Sequence, residues 1–236
     1  WVMGGYDPQT KNDVWYSTNG SNWTLATTTA GWSARNTFVH LVYNNKMWVI
    51  GGYAGAANFN DVWYSTNGIN WTRATASAAW SGRSGMMGMV FDNKMWVMGG
   101  YKSSDGYKND VWYSTDGVTW TQATASAAWR GRAFGAVTVY NNKMWIMGGM
   151  YDGTLPYKND VWYSTNGVDW YKTVELASWP GRAQYAALSF DNKMWVMGGR
   201  DVDSTFKTDI WYSVDGANWT AETTTTQWDT RTNFGY

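Results

Sequence analysis

Lys94-Met95-Trp96-Val97-Met98-Gly99-Gly100 is a short apolar run that stops on two glycines, and nearly the same run recurs at 46–52, 143–149 and 193–199. The chain opens inside a further copy, Trp1-Val2-Met3-Gly4-Gly5. The tryptophans of these runs, Trp1, Trp48, Trp96, Trp145 and Trp195, follow one another at spacings of 47 to 50 residues. A second anchor, Asp-Val/Ile-Trp-Tyr-Ser, starts at Asp13, Asp61, Asp110, Asp160 and Asp209. Ten residues after each Asp comes Trp23, Trp71, Trp120, Trp170 or Trp219, and nine later Trp32, Trp80, Trp129, Trp179 or Trp228. Four positions in five copies account for all 20 tryptophans of this 236-residue chain. Self-similarity at a fixed period therefore governs the fold assignment ahead of any local signal.

Each copy reads as four short strands. The first follows Trp-x-x-Arg and ends in Tyr or Phe, as at 132–140. A tight turn follows, Asn141-Asn142 or Asp92-Asn93, of residue types that tolerate positive φ. The second strand is the apolar run and the third is the Asp-Val-Trp-Tyr-Ser segment. Thr-Asn-Gly or Thr-Asp-Gly then signals a hairpin into a fourth strand around Trp120-Thr121. Large apolar residues occupy both faces of the second strand, as in Met95-Trp96-Val97-Met98. A sheet sandwiched between two neighbouring sheets reads this way. Four-stranded repeats of 40 to 50 residues predict an all-β protein, a five-bladed β-propeller of antiparallel blades, as one domain over 1–236.

The Gly-Gly doublets, followed in each copy by Tyr16 and Trp23 or their equivalents, resemble the Kelch repeat in order and length over essentially the whole chain. The resemblance implies a propeller whose ring is closed by the C-terminal strand joining the N-terminal blade. Residues 231–236 align with 35–40, which suits that role. By register, seven residues equivalent to 41–47 are absent at this seam. Either the closing strand is short or the natural chain continues; equal spacing elsewhere favours the closed five-bladed ring. The hairpin Ser114-Thr115-Asp116-Gly117-Val118-Thr119-Trp120 also resembles the Asp-box turn of sialidase-type propellers, without the residue between Asp and Gly. In that family the turn is structural.

Composition narrows the function classes. Lys plus Arg and Asp plus Glu each number 18, so the net charge is zero. Nucleic-acid binders and polybasic membrane-surface proteins draw affinity from excess cations, so neither partner is expected. There is no cysteine and one histidine, His40, which excludes disulfides, thiolate metal sites, cysteine nucleophiles and multi-histidine metal centres. Glu175 and Glu222 are the only glutamates and neither recurs, so the paired carboxylates of a glycosidase are missing. Asp201-Val202-Asp203 is a weak hint of calcium, without ordered ligand spacing. His40 sits on an inner strand, facing the channel or a blade interface. No catalytic residue, metal or cofactor is expected. A monomer is expected, with low charge and abundant Trp, Thr, Asn and Gly favouring a secreted or cell-surface protein.

Binding is expected where the repeats differ. Length varies only between the second and third strands, in loops 7–12, 54–60, 102–109, 151–159 and 201–208. Variable loops on a fixed scaffold are common binding surfaces. In an up-and-down blade they share an end with the fourth-to-first crossover, which carries Trp32, Trp80, Trp129, Trp179 and Trp228 with Arg35, Arg83, Arg132, Arg182 and Arg231. Trp offers a flat platform for a sugar face and Arg a planar fork, so these ten are the candidate ligand-binding residues. The competing reading makes them architecture, with Arg pairing the repeating Asp and Trp capping the gap between blades. Two functions follow: a protein-interaction scaffold using asymmetric loops over a buried Trp–Arg ring, or a multivalent lectin using exposed tryptophans. An engineered or amplified propeller without native function is a third reading.

Overall fold

The computed structural model describes residues 1–55, 57–152, 156–203 and 205–224. Every regular element among them is a strand. The first blade runs Val2–Tyr6, Thr10–Tyr16, Thr24–Thr27. The second runs Val39–Tyr43, Lys46–Ala54, Ala57–Ser65, Thr72–Thr75. The third runs Met87–Phe91, Lys94–Met98, Val111–Ser114, Thr121–Thr124. The fourth runs Ala136–Tyr140, Lys143–Met150, Tyr157–Ser164, Tyr171–Val174. The fifth runs Ala186–Phe190, Lys193–Met197, Ile210–Ser213, Thr220–Thr223. All pairings are antiparallel and follow chain order, giving five blades of a β-propeller. The strand expected to complete the first blade, 231–236, lies outside the described residues, and so does the ring closure assigned to it.

Several boundaries differ from the sequence reading: much of the expected loops 7–12, 54–60 and 151–159 is strand, in Thr10–Tyr16, Ala57–Ser65 and Tyr157–Ser164. The inner strand of the fourth blade starts at Ala136, because Phe134 adopts a left-handed φ of 58° and interrupts the extended backbone after Arg132. The outer strand starts after the hairpin Trp, at Thr121, because the Trp120 indole N–H turns back to donate to the Gly117 carbonyl at 3.2 Å. The inner hairpin turns behave as their residues require: Asn141 and Asn142 both have positive φ, 48° and 54°. In every blade the third and fourth strands slip register between the Val or Ile and the Trp of the anchor. Such a bulge strengthens the local twist.

The core lies between blades. Val39, Trp48 and Ile50 of the second blade pack with Met95, Val97 and Trp120 of the third. Met98 and Trp96 of the third pack with Met144, Ile146 and Trp170 of the fourth. Met147 and Trp145 of the fourth pack with Met194, Val196 and Trp219 of the fifth. This is why the second strand is apolar on both faces. Four inner strands line the axis side by side, and Gly88 brings one of them against Val39, since a Cβ there would lie 2.2 Å from its methyl.

The far end of the hairpin makes another recurring contact in the second to fifth blades. A Cβ built on Gly117 would lie 2.2 Å from the Trp48 ring, on Gly167 2.2 Å from Trp96, on Gly216 2.2 Å from Trp145, and on Gly68 2.1 Å from Trp1. Each glycine lets its hairpin lie flat on the second-strand Trp of the preceding blade.

Candidate functional site

The crossover residues come first, because everything at that end of the propeller is hung on them. Arg132 donates through Nη1 and Nη2 to the two carboxylate oxygens of Asp160, both at 2.7 Å. Its Nη1 also donates to the Gly148 carbonyl at 2.9 Å and its Nε to the Arg130 carbonyl at 3.2 Å. The Trp162 indole donates to the same carboxylate at 2.7 Å. Arg35 with Asp61, Arg83 with Asp110 and Arg182 with Asp209 repeat the arrangement. The main chain of the same residue ties to the blade behind: the Arg35 N–H donates to Lys11 O and its carbonyl accepts from Gly5 N, both at 3.0 Å. One arginine thus holds the preceding blade by its backbone and the following blade by its side chain.

The crossover tryptophans are sealed beneath. Trp32, Trp80 and Trp129 are 1% exposed and Trp179 is 0% exposed. Each meets the hairpin Trp of the following blade edge-on, with interplanar angles of 86° to 88°. Their indole N–H groups have no oxygen acceptor; the perpendicular ring face is the weak acceptor on offer. Eight of the ten residues singled out from the sequence are therefore buried and engaged with the protein itself. Trp228 and Arg231 lie outside the described residues.

Burial alone would raise the Asp160 pKa, but hydrogen bonds and charge from Arg132 hold it below the ordinary carboxylate value; Arg182 does the same for Asp209. A depressed folded pKa gives stability that is present above the unfolded value of about 3.9 and lost as pH falls through the folded one. The melting temperature is therefore expected to be flat from neutrality to about pH 5 and to fall below about pH 4. Asp160→Asn should weaken that dependence. A decline already complete at pH 5 would contradict this assignment.

Sequence reasoning missed two further sets. Asn12, Asn60, Asn109 and Asn159, each before the anchor Asp, donate through Nδ2 to the carbonyls at both ends of the segment leading to the crossover Trp. Their recurrence was the available signal; the fifth copy has Thr208. The second set rims the channel. Thr37, Gly85, Phe134 and Gln184, two residues after each Arg, all have left-handed φ between 51° and 62°. They are joined blade to blade by Gly85 N to Thr37 O, Phe134 N to Gly85 O and Gln184 N to Phe134 O at 2.9 to 3.1 Å. Only the glycine hints at this conformation. With Asn36, Phe38 and Tyr185 they line a cavity of about 770 Å³, and no Lys, Arg, Asp or Glu is among the described residues that line it. His40 opens into it, and the surrounding protein lowers its pKa by desolvation.

The variable loops form the outer layer. Tyr101 and Tyr107 meet with ring centroids 4.7 Å apart and planes tilted by 45°, flanked by Lys102 and Lys108 on either side of Asp105 at 3.7 and 3.9 Å. Arg130 lies 4.5 Å and Lys158 4.9 Å above the Tyr151 ring. Arg200 donates to the Tyr157 hydroxyl at 3.0 Å, and Lys207 pairs Asp201 at 2.6 Å. Tyr6, Val202 and Phe206 are exposed. No group of three or more His, Cys, Asp or Glu suited to a metal ion occurs among the described residues.

A family model, the KLHDC2/KLHL20/DRC7 Kelch-repeats domain, matches residues 1–199. The chain belongs to the Kelch-repeat family. Its fold is similar to the solved structure titled "Structure of YjhT", at a TM-score of 0.75 and 18% identity over 94% of this chain and 80% of that one. Likeness at that identity concerns the Kelch fold alone. Among the curated proteins no sequence matches the chain.

Proposed function

We propose that this Kelch-repeat chain is a non-enzymatic binding module that recognises a protein partner through its loop face. The observation that carries the reading is how the residues at that end are used. The described repeating Trp and Arg are spent on joining blades, while the loops above them differ in length and sequence from blade to blade, expose Val202 and Phe206, and carry the Tyr151 ring under Arg130 and Lys158; Tyr6, exposed at the end of its strand, leads into the first of these loops. Tyr and Arg are enriched in protein interfaces, and an asymmetric surface suits one asymmetric contact. A multivalent lectin would need equivalent exposed platforms, and the four described indoles proposed for that task, Trp32, Trp80, Trp129 and Trp179, are covered.

A photo-cross-linking residue placed at Tyr6 or Phe206 should capture a discrete protein adduct in extracts of the cells that make the chain. The same group at Val118, on the opposite end of the propeller, should capture none. Saturable glycan-array binding that is lost on loop-face substitution, with no position-dependent adduct, would replace this reading with the lectin.

A further inference from the structure

Three hairpin tips, at the end of the propeller away from the variable loops, read Asn19-Gly20, Asn67-Gly68 and Asn166-Gly167. Their asparagines are exposed. A glycine after asparagine has no Cβ to shield its peptide nitrogen, so that nitrogen can attack the neighbouring side-chain amide. One serine per turn holds both reacting groups. The Gly68 N–H donates to Ser65 Oγ at 2.8 Å and the Asn67 N–H to the same oxygen at 3.2 Å. The Ser65 hydroxyl donates to Asn67 Oδ1 at 3.2 Å, which also accepts from the Ile69 and Asn70 N–H groups at 3.0 and 2.9 Å. Ser164 repeats this for Asn166-Gly167, and Ser17 for Asn19-Gly20.

The third and fifth blades carry the carboxylate version of the same turn. Asp116 Oδ1 accepts from the Ser114 hydroxyl at 3.0 Å and from the Val118 and Thr119 N–H groups, both at 2.8 Å. Asp215 is held in the same way by Ser213, Ala217 and Asn218. Burial raises the Asp215 pKa, but the backbone and side-chain N–H groups of Asn218, with the Ala217 N–H and the Ser213 hydroxyl, bring it down to about 2. The turn therefore accepts an anion at the position where the other three blades have an amide.

We infer that Asn19, Asn67 and Asn166 are sites of hydrolytic deamidation, that Ser17, Ser65 and Ser164 set its rate, and that the turn retains aspartate as the product. Hydroxide takes the glycine N–H proton, and the freed nitrogen attacks the asparagine Cγ. The bond from Cγ to the side-chain nitrogen breaks and ammonia leaves, closing a cyclic imide. Water then opens the imide, at the side-chain carbonyl to give aspartate or at the main-chain carbonyl to give isoaspartate. While the serine holds the glycine N–H and the amide oxygen, the nitrogen and Cγ do not meet, so the turn must open first. Isoaspartate lengthens the main chain by one atom and shifts Gly167, whose Cβ position is 2.2 Å from the Trp96 ring, off its seat; aspartate returns to the bonds that Asp116 makes. Each conversion adds one negative charge to a chain whose net charge is zero, and charge away from zero opposes self-association. This end of the propeller is opposite the loop face, and the inference does not rest on the loop-face reading.

The folded protein, its Ser65→Ala and Ser164→Ala variants and the urea-unfolded chain are incubated in mildly alkaline buffer. Peptides holding residues 67 and 166 are then read by mass spectrometry, with fragmentation that separates aspartate from isoaspartate. The folded protein should convert at roughly a hundredth of the unfolded rate, because only the opened turn reacts. Ser65→Ala should speed conversion at Asn67 by about tenfold and leave Asn166 unchanged, and Ser164→Ala should do the reverse. Aspartate should form a larger share of the product in the folded protein than in urea. Asn67→Asp should keep the melting temperature of the parent chain. A serine variant that loses the fold would speed both sites together, and the folded-to-unfolded ratio and Asn67→Asp then decide. Equal rates at Asn67 with and without the Ser65 hydroxyl in folded chains would overturn the inference. So would a folded protein that stays unconverted after about a thousand half-lives of the unfolded chain, or a lowered melting temperature for Asn67→Asp.

Discussion

Arg132→Met should lose about 3–5 kcal/mol of folding stability, read as a shift of the urea midpoint at unchanged slope. The guanidinium is nearly inaccessible and spends four N–H groups on Asp160, Gly148 and Arg130. Methionine fills most of the volume but leaves a carboxylate buried with only the Trp162 indole as a remaining side-chain donor. Removing one partner of a buried pair is costly because the other charge stays behind. Arg132→Met with Asp160→Leu should recover much of the loss, since an apolar pair of similar volume leaves no orphan. Lys94, paired with Asp92 at 2.8 Å in the open, is the control: Lys94→Met should change stability by about 0.5 kcal/mol or less. A loss below about 1 kcal/mol for Arg132→Met would mean that this pair does not join blades, and would return the arginine ring to candidacy as a binding surface.

The second large effect should come from a single methyl group. Gly117→Ala places a side chain at φ 75°, in the left-handed region that costs about 1–2 kcal/mol. Its Cβ would also stand 2.2 Å from the Trp48 ring, so the hairpin must lift or the indole must leave its slot. Overpacking of that kind adds about 1–3 kcal/mol. Gly20→Ala carries the same backbone strain, φ 75°, with no contact to break, and should show only the first part. Equal losses for the two would show that Trp48 yields freely and that the hairpin contact contributes little.

The blades were readable because their design is written five times. Alternation, turn residues and the apolar second strand agreed in every copy, and the Arg–Asp pairing could be named as one reading of two recurring charges. What the sequence could not separate was a recurring residue that binds from one that holds, because both roles leave the same repetition. Burial is the observation that bears on it, as with Trp129 at 1% exposure. The channel rim was hidden for the opposite reason. Thr37, Gly85, Phe134 and Gln184 share a backbone conformation but no side-chain type, so neither propensity nor pattern marks them. The indole-on-glycine contact was half legible: the glycine was read for its turn, but its partner belongs to a different blade.

The arginine rivets have a consequence for how the chain reaches its native state. Arg35 meets Asp61, Arg83 meets Asp110, Arg132 meets Asp160 and Arg182 meets Asp209 across only 26 to 28 residues of sequence. Those pairs are local for an all-β protein, closing over about half a repeat, while the Tyr43–Asn93 and Trp48–Gly117 contacts across the same interfaces span a full repeat or more and form later. A nascent chain can secure each blade to the one before it as soon as the next anchor Asp has been synthesised, and unfolding should run the same route backwards, peeling blades from the fifth.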